Sequence, residues 1–380
     1  MFLFREKILQ TTARMLPLAL SFALSVGLPL QAQAQSDWRA EWQKVLEAAQ
    51  KEGKVVVGVS PSADVRQALE RGFAAKFKGI QLELVTGASS MIASKILNEY
   101  RAGVRSIDTF IAGSESPLAV VAHGAAEPFE PYTILPEVRD PKYWFGGHFW
   151  VDNKTTKRFI YPFQAYITEP GWANTELLKP ESFQSYDDLL NPRLKGKIGF
   201  HDPRMQGAGR AMWLYLWGVK GEDYLKKLVD QNLFLSDDHR QLGDGLAKGR
   251  FAVIIGPGYR VISFYVQAGL PVKPLPVPKE GIHATRGVGA LTVIKNPPHP
   301  NATKVFVNWL LSKEGQEIFG KSIGQATRRL DVDTKWLNSI GIQAAKDVMT
   351  AEEYHKRESS FEDRVNARGP GEESARRLLK

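Results

Sequence analysis

Val55-Val56-Val57-Gly58-Val59 is an unbroken run of small and β-branched residues with no polar alternation. Side chains alternate faces along a strand, so such a run belongs to a strand covered on both sides, as in a parallel sheet between helices. Its flanks agree. Upstream, Trp38, Trp42, Val45, Leu46 and Ala49 recur at helical spacing, and Gly53 closes that helix. Downstream, Val65, Leu69, Phe73 and Phe77 predict a helix and residues 81–85 a second strand. Residues 89–102 predict a helix with Ile92, Ile96 and Tyr100 on one face, and 109–112 a third strand. Strands alternating with helices predict an open α/β sheet with right-handed crossovers.

A second α/β set follows. Residues 197–200 read as a strand, 206–217 as a helix and 251–255 as another buried strand. Beyond the proline-rich 271–278, a strand is predicted at 289–294. The helix after it carries Ala302, Val305, Phe306, Trp309 and Leu310. Between the sets, residues 127–152 break into prolines and aromatics, which we read as the passage between two lobes. Trp144, His148 and Trp150 there serve either as a stacking wall for a planar solute or as a hydrophobic hinge plug. Residues 351–380 hold seven basic and seven acidic side chains with few apolar ones, and predict a weakly packed helix or a disordered end.

Composition narrows the function. The 380 residues are 43% hydrophobic and 24% charged, which is globular and long enough for two domains. With no cysteine, disulfides, thiolate metal sites and cysteine nucleophiles are excluded, and none of the seven histidines forms an HExxH motif. The +9 formal charge is spread along the chain, so it predicts a solvated basic surface and no nucleic-acid partner. Arg5, Lys7 and Arg14 precede an apolar stretch over 15–30, and Ala32-Gln33-Ala34 follows with small-x-small spacing. That pattern predicts a secretory signal peptide over 1–34, cleaved near Gln35; the stretch is shorter than the roughly 20 residues of a membrane span. An exported chain has no ATP or nicotinamide pool. It also lacks a Walker A loop and a GxGxxG fingerprint, so no cofactor is expected.

Three longer stretches carry a resemblance. They begin at Trp42-Gln-Lys-Val-Leu-Glu-Ala-Ala-Gln-Lys-Glu-Gly, at Tyr186-Asp-Asp-Leu-Leu-Asn-Pro-Arg-Leu-Lys-Gly and at Pro298-His-Pro-Asn-Ala-Thr-Lys-Val-Phe-Val-Asn-Trp. From about 40 to 330 the chain resembles the solute-binding proteins of ABC importers, most of all the branch with the periplasmic ferric-iron binders. The resemblance implies a two-lobed, type II periplasmic-binding-protein-like α/β fold with its ligand cleft between the lobes. On that basis lobe 1 takes residues 35–142 plus 286–350, lobe 2 takes 143–285, and 351–380 is a charged tail.

Ligands of open α/β sheets sit beyond the carboxyl ends of strands. The first lobe offers Ser62 there, then Ser89 and Ser90, then Ser114 and Glu115. These serines either cap the following helices or give oxygens and N–H groups to a polar solute, and a cap can do both. In the second lobe, His201-Asp202-Pro203-Arg204-Met205-Gln206-Gly207-Ala208-Gly209 joins a strand to a helix. Its glycines permit close backbone approach and the helix start favours an anion. In the ferric binders a similar loop holds the synergistic anion, and Gln206, Gly207 and Ala208 fall at its place. His201 and Arg204 join the candidate set; Arg204 either meets the solute or pairs with Asp202 on the rim.

Iron can be weighed residue by residue. Where the ferric binders carry a histidine, a glutamate and a pair of tyrosines, this chain has Ser62, Gly113 and Gly258-Tyr259. Three of four ligands are missing, so no metal is expected and Tyr259 remains as a cleft-lining ring. The sequence thus predicts a monomeric periplasmic binding protein that makes and breaks no bond. It captures a small organic or anionic solute by lobe closure and delivers it to an inner-membrane ABC permease. Two alternatives stay open. One is a ferric-iron or iron-chelate binder with non-standard ligands. The other is an exported hydrolase on the same scaffold, although no GxSxG elbow or Ser-His-Asp order is present.

Overall fold

The computed structural model describes residues 29–152, 158–282, 284–359 and 361–380, so most of the expected leader lies outside the described residues. From the amino end, α1 (Pro29–Glu52) precedes β1 (Lys54–Val59), α2 (Ala63–Lys76), β2 (Gln81–Thr86), α3 (Ser89–Arg101), β3 (Thr109–Ala112) and α4 (Glu115–Ala122). Short α5 (Pro136–Arg139), β4 (Ile160–Pro162), β5 (Tyr166–Ile167) and β6 (Trp172–Asn174) follow. The central part runs β7 (Ile198–His201), α6 (Ala208–Lys220), α7 (Glu222–Val229), β8 (Phe234–Ser236), α8 (His239–Ala247), β9 (Val253–Ile255), α9 (Tyr259–Gln267) and β10 (Val272–Pro274). The chain then returns through β11 (Ala284–Thr285), β12 (Ala290–Val293), α10 (Pro300–Leu311), α11 (Lys313–Ile323), β13 (Gln343–Ala344) and α12 (Ala345–Val348). It ends in α13 (Ala351–Ser359), α14 (Phe361–Ala367) and α15 (Gly369–Leu378).

Two five-stranded sheets organise these elements. The first has the order β2-β1-β3-β12-β4, with β1 parallel to β2 and β3 and β12 antiparallel to its neighbours. Val55 to Val59 are all buried, as the β-branched run requires, because helices cover both faces. On one face Val57, Leu69, Phe73, Phe306 and Trp309 share a core; on the other Ile92, Ile96, Phe110 and Val120 do. Gly53 ends α1 at φ +76, a left-handed turn suited to glycine. Glu52 beside it accepts hydrogen bonds from the Asn301 and Ala302 amides at the start of α10, at 3.1 and 2.7 Å. That locks the amino-terminal helix to the returning chain.

The second sheet has the order β10-β6-β9-β7-β8, mixed in the same manner. Between the two lies a small antiparallel sheet, β11-β5-β13, through which the chain leaves the first lobe and returns to it. This moves the expected passage. Residues 127–152 do not cross between lobes, and the second lobe does not begin at 143: β4 pairs with β12 in the first sheet, and Trp144 and Tyr161 lie in the core with Val57. The aromatics bury there because the first sheet needs its outer strand covered. The crossing is at β5.

The carboxyl-terminal expectation is corrected as well. Tyr354 of α13 is 1% exposed against Phe145 and Phe149, and Ser374 and Ala375 of α15 are buried. Among the described residues, Tyr354, Ala375 and Leu379 of this charged segment pack, so α13 and α15 are held more firmly than its composition suggests.

Candidate functional site

The carboxyl ends of β1, β2, β3 and β4, with the start of β12, form one edge of the first sheet, and the corresponding edge of the second sheet meets it. Gln206 donates to Glu115 at 3.3 Å, and Arg260 donates to the Pro61 carbonyl at 2.6 Å. Each contact joins a residue beyond a strand of one lobe to a residue beyond a strand of the other. The cleft is closed.

On the first-lobe side, Ser62 caps α2, its hydroxyl accepting from the Val65 amide at 3.3 Å. Ser89 and Ser90 lie in the first turn of α3 and cap nothing, since Ala88 holds the N-cap position. The Ser89 hydroxyl is 3.5 Å from that of Ser60, and Ser90 is exposed. Ser114 precedes α4 without capping it; its hydroxyl accepts from Arg286 at 2.9 Å. Arg286 was not singled out by sequence. It is 6% exposed on the turn between β11 and β12, in which Gly289 donates to the Arg286 carbonyl. Gly287 takes φ +53 there, with no room for a Cβ beside the Tyr166 hydroxyl and Gln325. Glu115 faces Arg368 of the carboxyl-terminal segment at 2.6 Å.

The second-lobe side is built around His201, 4% exposed at the end of β7. Its Nδ1 accepts from the Gly209 amide at 3.2 Å, which puts the ring proton of the neutral form on Nε2. A Cβ on Gly209 would collide with the His201 carbonyl, and one on Gly256 with the His201 Cβ, so both glycines are needed for this approach. His239, the first residue of α8, stacks on His201 with ring centroids 4.2 Å apart. Burial lowers the affinity of both rings for a proton. For His239, His201 and Arg260 add to that effect and bring the pKa down to about 4, against an opposing pull from Asp238. For His201, Asp202 and Asp237 work against the lowering.

The remaining candidates are placed as follows. Arg204 has Nε and Nη2 on Asp202, at 2.9 and 2.7 Å, and Nη1 on the Leu379 carbonyl at 2.6 Å. Gln206, Gly207 and Ala208 are exposed at the start of α6. Tyr259 begins α9, stacks on Trp172 at 6.2 Å and rests against Gly324 of the first lobe. Beside it, Glu169 is buried and accepts from Thr168 and from the Trp172 indole, and desolvation pushes its pKa up to about 7. The aromatic cluster is away from this edge. His148 uses both ring nitrogens, on the Tyr161 hydroxyl and the Arg139 carbonyl, and the Trp144 indole donates to Val138. Among the described residues, no three histidine, aspartate or glutamate side chains are grouped to hold a metal ion.

Two α/β lobes joined by short crossing strands, with strand ends meeting in a cleft, define a periplasmic-binding-protein fold. The chain belongs to the bacterial extracellular solute-binding protein family, whose model matches residues 35–317. These are the binding components of ABC importers. An uncharacterized protein of Haemophilus influenzae is 26% identical over 287 residues, covering 72% of this chain and 77% of the relative. Similar solved structures include AfuA from Actinobacillus pleuropneumoniae with exogenous fructose-6-phosphate bound, at 22% identity and TM-score 0.58, covering 83% of this chain and 99% of that one. Iron-bound HitA from Pseudomonas aeruginosa is 18% identical, with TM-score 0.59 and coverage of 81% and 99%. Trichodesmium FutA with iron and citrate is 17% identical, with TM-score 0.60 and coverage of 86% and 99%. At these identities the likeness speaks for the fold.

Proposed function

We propose that this chain is an exported, monomeric binding protein that captures a small organic anion, of phosphomonoester or carboxylate type, and hands it to an inner-membrane permease. The observation that carries the reading is Arg286. This buried cation holds Ser114 at the amino end of α4, where the helix dipole is also positive. Arginine at a cleft edge favours an acidic or polar group on a bound solute through charge-assisted hydrogen bonds. Across the cleft, His201 and His239 supply rings able to take up a proton beside an acid. Ser62, Ser89, Ser90, Glu115, Gln206, Gly207, Ala208 and Tyr259 line the remaining approach to a bound solute.

Export is supported by the charged, apolar and small-residue succession over 1–34. No helix among the described residues is long and apolar enough to cross a membrane. Membership of a family of binding proteins supports binding without chemistry, and the predicted closure is driven by contacts available only when the lobes meet.

Native mass spectrometry of the freshly purified protein, followed by calorimetry, tests this. Fructose-6-phosphate and other sugar phosphates are compared with their unphosphorylated parents and with ferric citrate. Binding of an acid with at least ten-fold preference over its neutral parent is expected. Equal binding of the neutral sugar, turnover of any solute, or uptake of ferric ion alone would reject the reading.

A further inference from the structure

Glu115 opens α4 at the cleft edge of the first lobe, and its carboxylate meets two partners from beyond that lobe. Gln206 of the second lobe donates to Oε2, and the Arg368 guanidinium lies 2.6 Å from Oε1 as a close ion pair. Arg368 immediately precedes α15, and α15 is fixed to the second lobe. The Trp213 indole donates to the Gly371 carbonyl at 3.2 Å and to the Ser374 hydroxyl at 3.0 Å. Ala375 and Leu379 are buried in the second lobe's core. Glu372 of the same helix holds Arg368 at 2.8 Å and Arg210 of α6 at 3.2 Å. Glu115, Arg368, Glu372 and Arg210 therefore form a row of alternating charge that runs from one lobe to the other. All four are partly sheltered, with side-chain exposures of 35%, 25%, 18% and 19%.

The preceding part of the segment rests on the first lobe. Tyr354 packs on Phe145 and Phe149, Arg328 lies 5.3 Å from its ring, and His355 pairs with the Gly146 carbonyl. The carboxyl-terminal chain thus leaves the first lobe, joins the second, and reaches back at Arg368. Opening about β5 and β11 separates the strand-end edges, and it must separate Glu115 from a guanidinium carried by α15. A contact that exists only in the closed arrangement favours that arrangement by its own strength.

We propose that α15 is a strap that holds the lobes together through the Arg368–Glu115 pair, so that the closed form is populated before solute arrives. The inference needs the two-lobed fold and not the identity of the solute. Its consequence is that solute entry waits on release of the strap, which high salt promotes.

The chain has no cysteine, so nitroxide labels on Ser94→Cys in α3 and Lys227→Cys in α7, both exposed, report lobe separation without interference. Pulsed electron–electron resonance is recorded on the full chain with no solute added. At low ionic strength one short distance should dominate. Glu115→Gln and Arg368→Gln should each raise the open-to-closed ratio roughly two- to five-fold, the range of a partly exposed ion pair. About 1 M sodium chloride should do the same to the doubly labelled parent and add nothing to Glu115→Gln. The salt comparison changes no residue of the strap, so it decides the matter even where a variant fails to fold. Superimposable distance distributions in parent, variants and salt would overturn the proposal, as would a parent already dominated by the long distance. A neutral or metallic solute would revise the function proposed above and leave this result standing.

Discussion

The rings of His201 and His239 lie 4.2 Å apart and 29° from parallel, one at the end of β7 and the other at the start of α8. Two imidazoles stacked this closely cannot both carry a proton without mutual repulsion, and burial already disfavours the charge on each. Both are therefore neutral in the folded protein near pH 7. In the unfolded chain each takes up a proton at its ordinary value near 6.5. Between about 6.5 and the folded value of about 4 for His239, the unfolded state binds more protons, so stability falls as pH falls through that window. The slope should reach at most about 1.4 kcal/mol per pH unit for each ring. Urea unfolding at pH 7, 5.5 and 4.5 measures it, and His239→Gln should flatten the profile.

The same pair gives a second expectation with the opposite direction. A bound anion favours the protonated rings, so solute binding should draw in protons and tighten on acidification from pH 7.5 to 5.5. Calorimetry in buffers of different ionisation enthalpy reads the proton uptake directly. In His239→Gln the uptake should shrink. Affinity for an acidic solute that is flat across this range would remove the pair from the binding site.

Arg286 and Arg204 make a contrast. Arg286 is buried at the cleft edge and donates to Ser114 there, whereas Arg204 is exposed and turned to Asp202 and the Leu379 carbonyl. A charge-assisted hydrogen bond is worth roughly 1.5–3 kcal/mol, so Arg286→Gln should weaken an acidic solute about ten- to a hundred-fold. Arg204→Ala should change affinity by less than about three-fold, because a partly exposed pair contributes under about 1 kcal/mol. Titration of both variants with one solute settles the order.

The contrast also marks where sequence stops being readable. The Val55–Val59 strand declared itself because its β-branched residues leave no polar face. β5, β11 and β13 did not, because a two-residue strand has no periodicity, and so the crossing was expected at the aromatic stretch around Trp144. His201 was visible as the residue ending a strand before a glycine-rich loop. Its partner His239 was not, since their meeting depends on the pairing of His201 with Ser236 across β7 and β8. For Arg204 the pairing with Asp202 was one of two readings, but its bond to Leu379 was not legible, because that residue is far away in the chain. The carboxyl-terminal segment looked loose by composition, yet burial of a handful of side chains is enough to hold a helix whose charged face stays wet.

Two glycines of α6 should respond to alanine in opposite ways. At Gly209 a Cβ would strike the His201 carbonyl, which is backbone and cannot swing aside. Gly209→Ala should cost several kcal/mol or displace the loop, and abolish solute binding in either case. At Gly218, in the same helix, nothing lies within 4 Å of the new Cβ. Gly218→Ala should stabilise the protein by about 0.5–1 kcal/mol through helix propensity. Denaturant midpoints at constant slope distinguish the two.

Trp213 tests how the last helix is held. Its side chain is fully buried, and its indole N–H serves both the Gly371 carbonyl and the Ser374 hydroxyl. Trp213→Phe keeps an aromatic ring in place but removes that donor. Ser374 still donates to Gly371 at 2.8 Å, so the acceptors are not wholly abandoned. The cost should therefore sit near the middle of the range for a lost buried hydrogen bond, about 1–2 kcal/mol. Because the donor acts only on α15, the loss should appear first as local release and not as global unfolding. Limited trypsin digestion should then cut at Arg368, Arg376 and Arg377 about ten-fold faster than in the unsubstituted protein, while the remainder stays resistant. Equal cutting rates with a lowered global midpoint would mean that α15 melts only with the whole second lobe.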